Sequence, residues 1–368
     1  VKKYLAGLLG LAVLTGIINQ APKASAYGYR NCDAVVTSDT IRWKSIPPRF
    51  RASGVSFPAG VWRNALTEAV SQWNTNPSKF YFNLTYDEPS VGRNNGENEI
   101  WFSSDDSILA GAPAIAYTWW SCNPFSIKIN EADVIFDNRV AYTPYTSKSS
   151  LWGYGGSYRP FQTTASHELG HAAGLLHENR FYNIMGQDWT HIHTNAGIGK
   201  TYFGEDAGNG AVFLYGLYST PLNDLSVSHW KRNGASGEYS THSRTQMFTS
   251  GGALLASYND AGEPRYHVNR GQTVQVEFTY ENNGAATQNP NVGFYVSTND
   301  NITTLDTLLT SVGFTLGRNT PYTARNYVTI PSNLAPGKYY VGAIVDRTNI
   351  VGETYEDNNS TYIAVQVN

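Results

Sequence analysis

His167, Glu168, His171, Gly174 and His177 fall within eleven residues, and that spacing constrains the backbone around them more than any other feature of the chain. Residues four apart lie on one face of an α-helix, so His167 and His171 point the same way with Glu168 beside them. The helix must then stop near Gly174, where glycine adopts a left-handed conformation cheaply, for the chain to swing His177 back towards the same point. Three neutral nitrogen donors suit one zinc ion and leave its fourth position open, which is the arrangement of a catalytic site. Glu168 is the candidate general base, placed to take a proton from an attacking water and return it to a leaving amine. A bare HExxH also occurs on ordinary amphipathic helices. The glycine, the third histidine and a methionine eight residues further on, Met185, narrow the reading.

With Met185 in Asn183-Ile184-Met185-Gly186, the segment resembles the signature of the metzincin metallopeptidases, HExxHxxGxxH followed by a methionine turn. The resemblance implies an α+β catalytic domain of zincin type, a twisted mixed sheet with an active-site helix. It also implies one catalytic zinc on His167, His171 and His177, Met185 packed beneath the imidazoles as a structural turn, and a protein or peptide substrate. Asp206 to Gly216 resembles the closing helix of the matrixin branch, whereas Glu178 after the third histidine is the astacin-like choice, so the branch stays open.

The upstream pattern fits such a domain. Ile41-Arg42-Trp43 reads as a strand; Val61 to Asn74 places Trp62, Leu66, Ala69, Val70 and Trp73 at helical spacing. Strands are predicted over Phe80 to Tyr86, Glu99 to Ser103 and Ala132 to Asp137. The order of strand, helix, strands and zinc helix resembles the metzincin N-terminal subdomain. Ala114, Ile115, Ala116 and Tyr117 open a further extended run and are candidate substrate-binding residues, because an edge strand can accept substrate backbone as an added strand. The competing reading is an ordinary buried strand.

Lys2 and Lys3, an apolar run from Tyr4 to Ile18 and Ala24-Ser25-Ala26 predict a cleaved bacterial signal peptide over residues 1–26 and a secreted protein. The apolar run falls short of the roughly 20 residues a spanning helix needs, so no stable membrane insertion is expected. A net charge of -3, with 15% charged residues, argues against nucleic acid as a partner. The exported part holds two cysteines, Cys32 and Cys122, which read as one disulfide in an oxidising compartment. The alternative is that Cys32 caps the zinc and keeps the enzyme latent, as a pro-segment cysteine does in matrix-type metzincins.

High aromatic and glycine content, 25 Tyr, 9 Trp and 34 Gly, favours strands and loops over a helical bundle. We expect the catalytic domain over 27–218 and a Ser/Gly/Asn-rich connector or irregular extension over 219–264. Over 265–368, evenly spaced short strand candidates predict an all-β immunoglobulin-like sandwich. Glu281-Asn282-Asn283-Gly284, Phe294-Tyr295-Val296-Ser297 and Leu334 to Tyr340 make that segment resemble the CARDB modules of bacterial extracellular proteins. Its role is surface or matrix targeting, or that of a spacer. Ca2+ around Asp300, Asp306 and Asp357 is a further possibility without a recognised loop pattern. Two classes of function compete: a zinc metalloendopeptidase, and an extracellular adhesin whose peptidase-like domain is inactive or structural.

Overall fold

The computed structural model describes residues 27–33, 39–186, 191–220, 222–233 and 242–368, so the leader expected over 1–26 lies outside the described residues. It is rich in sheet with few helices. Taking the longer elements in order, the first part comprises β1 (Arg49–Ser53), α1 (Val61–Trp73), β2 (Asn83–Glu88), β3 (Glu99–Ser103), β4 (Ala114–Asn123), β5 (Ser126–Asp137), α2 (Phe161–Ala172) and α3 (Gly204–Tyr215).

The first sheet runs β2-β1-β3-β5-β4, parallel throughout except for the antiparallel pair of β5 with β4. Its inner strand β5 is buried on both faces, with Val134, Ile135 and Phe136 all inaccessible, as expected of a strand with a neighbour on each side. The apolar stripe of α1 turns Leu66, Ala69 and Trp73 into the same core as Phe136, Phe161 and Leu169. Trp73 also donates its indole N–H to the Ser166 carbonyl at 2.7 Å, which seats α1 on α2.

One strand differs from expectation. Ile41 to Trp43 forms no strand; the sheet is entered at β1, where Phe50 and Ala52 alternate inward between Arg49 and Arg51. Trp43 instead donates its indole N–H to the Ala172 carbonyl at 2.8 Å, satisfying a group left over at the end of α2.

The C-terminal part has two sheets. β7 to β16 are Leu225–Ser228 as β7, Met247–Thr249 as β8, Ser257–Asp260 as β9, Glu263–Val268 as β10 and Thr273–Asn282 as β11. There follow Asn291–Ser297 as β12, Thr307–Gly313 as β13, Tyr322–Thr329 as β14, Gly337–Ile344 as β15 and Ser360–Val367 as β16, while the two-residue strand Leu175–Leu176 after α2 is β6. One sheet centres on β11, with β14 along one side and β7 and β8 end to end along the other. The second runs β9-β10-β16-β15-β12-β13. Val274, Val276, Phe278 and Tyr280 of β11 alternate into a shared core with Val292, Phe294, Val341 and Val365.

The segment expected as an irregular connector, 219–264, therefore supplies three sandwich strands, β7, β8 and β9. Their brevity and polar content hid them: Leu225-Ser-Val-Ser and Ser257-Tyr-Asn-Asp are too short to show a period. Nor are the two parts merely tethered. Lys148 reaches Glu263 and Asp300 at 2.9 Å each, and Glu205 of α3 accepts the Asn282 and Thr320 amides at 2.8 Å each.

Candidate metal centre

Pro160 stands at the entrance of α2, where its missing N–H is harmless because amides in a first turn have no helical partner. Gly174 takes φ of 100° and reverses the chain; a Cβ there would also press on Ile129 at 3.3 Å. β6 follows, pairing antiparallel with Gly28–Tyr29, and delivers His177.

The three imidazoles converge. The Nε2 atoms of His167 and His171 are 3.1 Å apart, those of His167 and His177 3.2 Å, and those of His171 and His177 3.0 Å. His167 Nδ1 donates to the Ile184 carbonyl at 2.7 Å and His171 Nδ1 to the Leu175 carbonyl at 2.8 Å. A carbonyl only accepts, so on both rings Nδ1 carries the proton and Nε2 presents a lone pair. Lone pairs brought this close repel unless a cation lies between them. Ligands about 2.0–2.1 Å from a tetrahedral zinc stand about 3.3 Å from one another, close to the separations found. Burial, with His177 adding to it, lowers the proton affinity of His171 to about 4, and burial holds His167 well below its ordinary value. The donor set thus fits a zinc ion. Among the described residues these three are the one group of three His, Cys, Asp or Glu with converging ligand atoms.

Glu168 is buried beside them, and burial pushes its carboxyl up to about 8, against the opposing pull of Arg159 and the Ala116 amide. Met185 is fully buried under α2. A Cβ on Gly170 would come 2.2 Å from Met185 Sδ and 3.1 Å from the Trp73 ring, so the residue before His171 must be small. Nothing in the motif alone singles Gly170 out, because its contact is made by residues distant in sequence.

Glu168, His171 and His177 line a cleft of about 530 Å³. Ala114, Ile115 and Ala116 line it too, on strand β4, which among the described residues has a partner only on its β5 side. Tyr117 is turned away; its hydroxyl donates to the Ile108 carbonyl at 2.6 Å. Thr118 and Trp120 continue the cleft wall, and the Arg30 guanidinium lies 4.4 Å from the centre of the Trp120 ring. Sequence reading passed over Arg30, which carries no motif. It is brought there by the Cys32–Cys122 disulfide, with Cα atoms 5.4 Å apart. With both sulfurs joined, no thiolate is left at Cys32 to cap a metal, which corrects the latency alternative.

Elsewhere, His191 stacks on Tyr182 at 4.6 Å, and His193 lies in a short strand and, among the described residues, belongs to no group of three converging His, Cys, Asp or Glu ligands. Asp300 is engaged by Lys148, Asp306 accepts the Thr303 amide at 2.8 Å, and Asp357 pairs with Lys200.

No model of a known protein family matches the chain. No curated protein matches it either. Solved structures with partial similarity include the CARDB domain of a Pyrococcus furiosus protein in complex with di-metal ions, 18% identical, over 40% of this chain and 90% of that one, at a TM-score of 0.25. A solution structure of the same domain is 19% identical over 40% and 95%, at 0.24. A Listeria innocua beta-glucosidase is 14% identical over 37% of this chain and 18% of its own, at 0.21.

Proposed function

We propose that the chain is a secreted zinc metalloendopeptidase of metzincin type, carrying a C-terminal CARDB-like module that directs it to a surface or matrix target. The observation that carries this reading is the convergence of three Nε2 atoms within 3.0–3.2 Å, two of them with tautomers fixed by backbone carbonyls. The strand, helix and sheet order that leads into α2 supports the metzincin resemblance.

When bound, zinc supplies Lewis acidity, polarising a carbonyl and bringing the pKa of water from about 15.7 to about 7. The chain's own residues do the rest. The unpaired edge of β4 takes substrate backbone as an added strand and lays the scissile bond along the imidazoles. The Glu168 carboxylate holds the proton taken from the attacking water, then delivers it to the leaving amine. Its burial keeps bulk water from competing for that proton.

A structural zinc in an adhesin would have no use for a buried carboxylate that does not ligate, and this favours the peptidase. Glu168→Ala is expected to keep stoichiometric zinc and lose about 10²–10⁴-fold or more in hydrolysis of a denatured protein substrate. Normal cleavage by that variant would refute the role of Glu168, and zinc-replete protein with no chelator-sensitive hydrolysis would favour the adhesin.

A further inference from the structure

The loop between the third imidazole and Met185 is anchored from outside the first part of the chain. Internally it is a closed unit: the Glu178 amide donates to the Met185 carbonyl at 3.0 Å, and Asn183 Nδ2 donates to the Glu178 carbonyl at 3.0 Å. Its outer side pairs with the segment just after β7. The Tyr182 amide donates to the Arg232 carbonyl at 2.9 Å, Phe181 bridges Asn233, and Arg232 Nη1 donates to the Tyr182 carbonyl at 3.2 Å. The Arg232 guanidinium also lies 4.6 Å from the centre of the Phe181 ring and 3.9 Å from Asp206 of α3. That segment is itself fixed to the sandwich, through the Arg232 amide to Thr323 Oγ1 at 2.8 Å and Thr279 Oγ1 to the Trp230 carbonyl at 2.5 Å.

We propose that Arg232 is a positioning residue for the metal centre: from the C-terminal part it clamps Phe181 and Tyr182 so that the Ile184 carbonyl stays aimed at His167 Nδ1. The sandwich is then part of the apparatus that shapes the site, not only a targeting module. The physical reason lies in the distance along the chain. Ile184 is two residues from Tyr182, so a shift of the Tyr182 backbone moves the acceptor that fixes the His167 tautomer and ring angle. Arginine suits the task because its planar group serves an aromatic face, a carbonyl and a carboxylate at once. Asp206, buried and with no hydrogen bond to either carboxylate oxygen from the described residues, gives that cation a reason to stay inside.

This inference rests on the zinc reading, and its test separates the two. Zinc affinity of the full chain is measured by competition with a chromogenic chelator, and the visible absorption spectrum of the cobalt-substituted protein reports ligand geometry. Arg232→Ala is expected to weaken zinc binding about 10–100-fold, the usual scale for outer-shell partners of metal ligands, and to shift the cobalt bands. Arg232→Lys keeps a cation near Asp206 but not the flat contact with Phe181; it should lie between, and it carries the test if the alanine variant does not fold. Lys148→Met breaks another link between the two parts, remote from this loop, and should lower stability while leaving zinc affinity unchanged. An Arg232→Lys or Arg232→Ala protein that binds zinc like the parent, or a Lys148→Met protein that loses as much zinc, overturns the clamp. A parent that binds no zinc overturns the zinc reading beneath it.

Discussion

The Cys32–Cys122 disulfide closes a loop whose ends are 90 positions apart, enclosing β1 to β3, α1 and most of β4. In the chain-entropy treatment, cross-linking so long a loop removes enough freedom from the unfolded chain to stabilise the fold by about 4.6 kcal/mol, near the top of the usual range of about 2–5. Both residues sit where the native backbone is already held: Cys32 is fully buried and pairs with Asp39, and Cys122 pairs with Ile127 across the β4–β5 hairpin. Replacing both by alanine therefore acts chiefly on the unfolded state. At a urea m-value of about 3 kcal/mol per molar, the loss corresponds to a midpoint lower by about 1.5 M. Urea unfolding followed by tryptophan fluorescence, comparing the double variant with the oxidised parent, measures it. The same variant frees the Gly28–Tyr29 strand beside His177 and should loosen Arg30 from Trp120. A midpoint within about 0.3 M of the parent would refute the reasoning, since the unfolded chain would then gain almost nothing from the lost cross-link.

Gly174→Ala places a side chain at φ of 100° against Ile129 and should cost about 1–2 kcal/mol, with a matching loss of zinc affinity as His177 is displaced; equal thermal midpoints with and without the substitution would contradict this. Asp133 lies buried among Glu99 and Glu131, and burial raises its carboxyl to about 8. A folded value above the unfolded one means stability is greatest at low pH and is lost as pH rises from about 4 towards 8. Asp133→Asn keeps the oxygen that accepts the Glu99 amide at 3.0 Å and removes the titration, so its gain over the parent should grow to a few kcal/mol across that range. A gain independent of pH in denaturant melts would contradict the assignment.

How much could be read from sequence depended on whether periodicity or distant partners decided the outcome. Val61–Trp73 and Glu99–Ser103 match the apolar patterns that predict them, because each turns apolar residues into a core. β5 begins six residues before its expected start: Ile127 and Ile129 alternate with exposed Lys128 and Asn130, a period-2 signal too short to mark them as part of the strand, and Ile129 is buried in the core. β7, β8 and β9 are strands only because β11 and β10 lie beside them, and pairing of that kind leaves no local trace.

The site shows the same division. His167, Glu168, His171, Gly174 and His177 were legible because a helix turn and a glycine exit written in one short segment bring them together. What the motif does not encode is orientation. His171 draws its acceptor from Leu175, four residues on, and is nearly self-sufficient, whereas His167 depends on Ile184, which belongs to a loop. A loop holds a carbonyl in place only as well as it is itself held. Here its ties run to Gly170 and Trp73 through Met185 on one side and to Arg232 on the other. The two imidazoles on one helix are therefore unequal: under the zinc reading, perturbations of the C-terminal part should reach the site through His167 and leave His171 untouched. Histidine resonances of the zinc-loaded protein, followed by NMR in the Arg232→Lys variant, would show that asymmetry directly, and equal shifts at His167 and His171 would refute it.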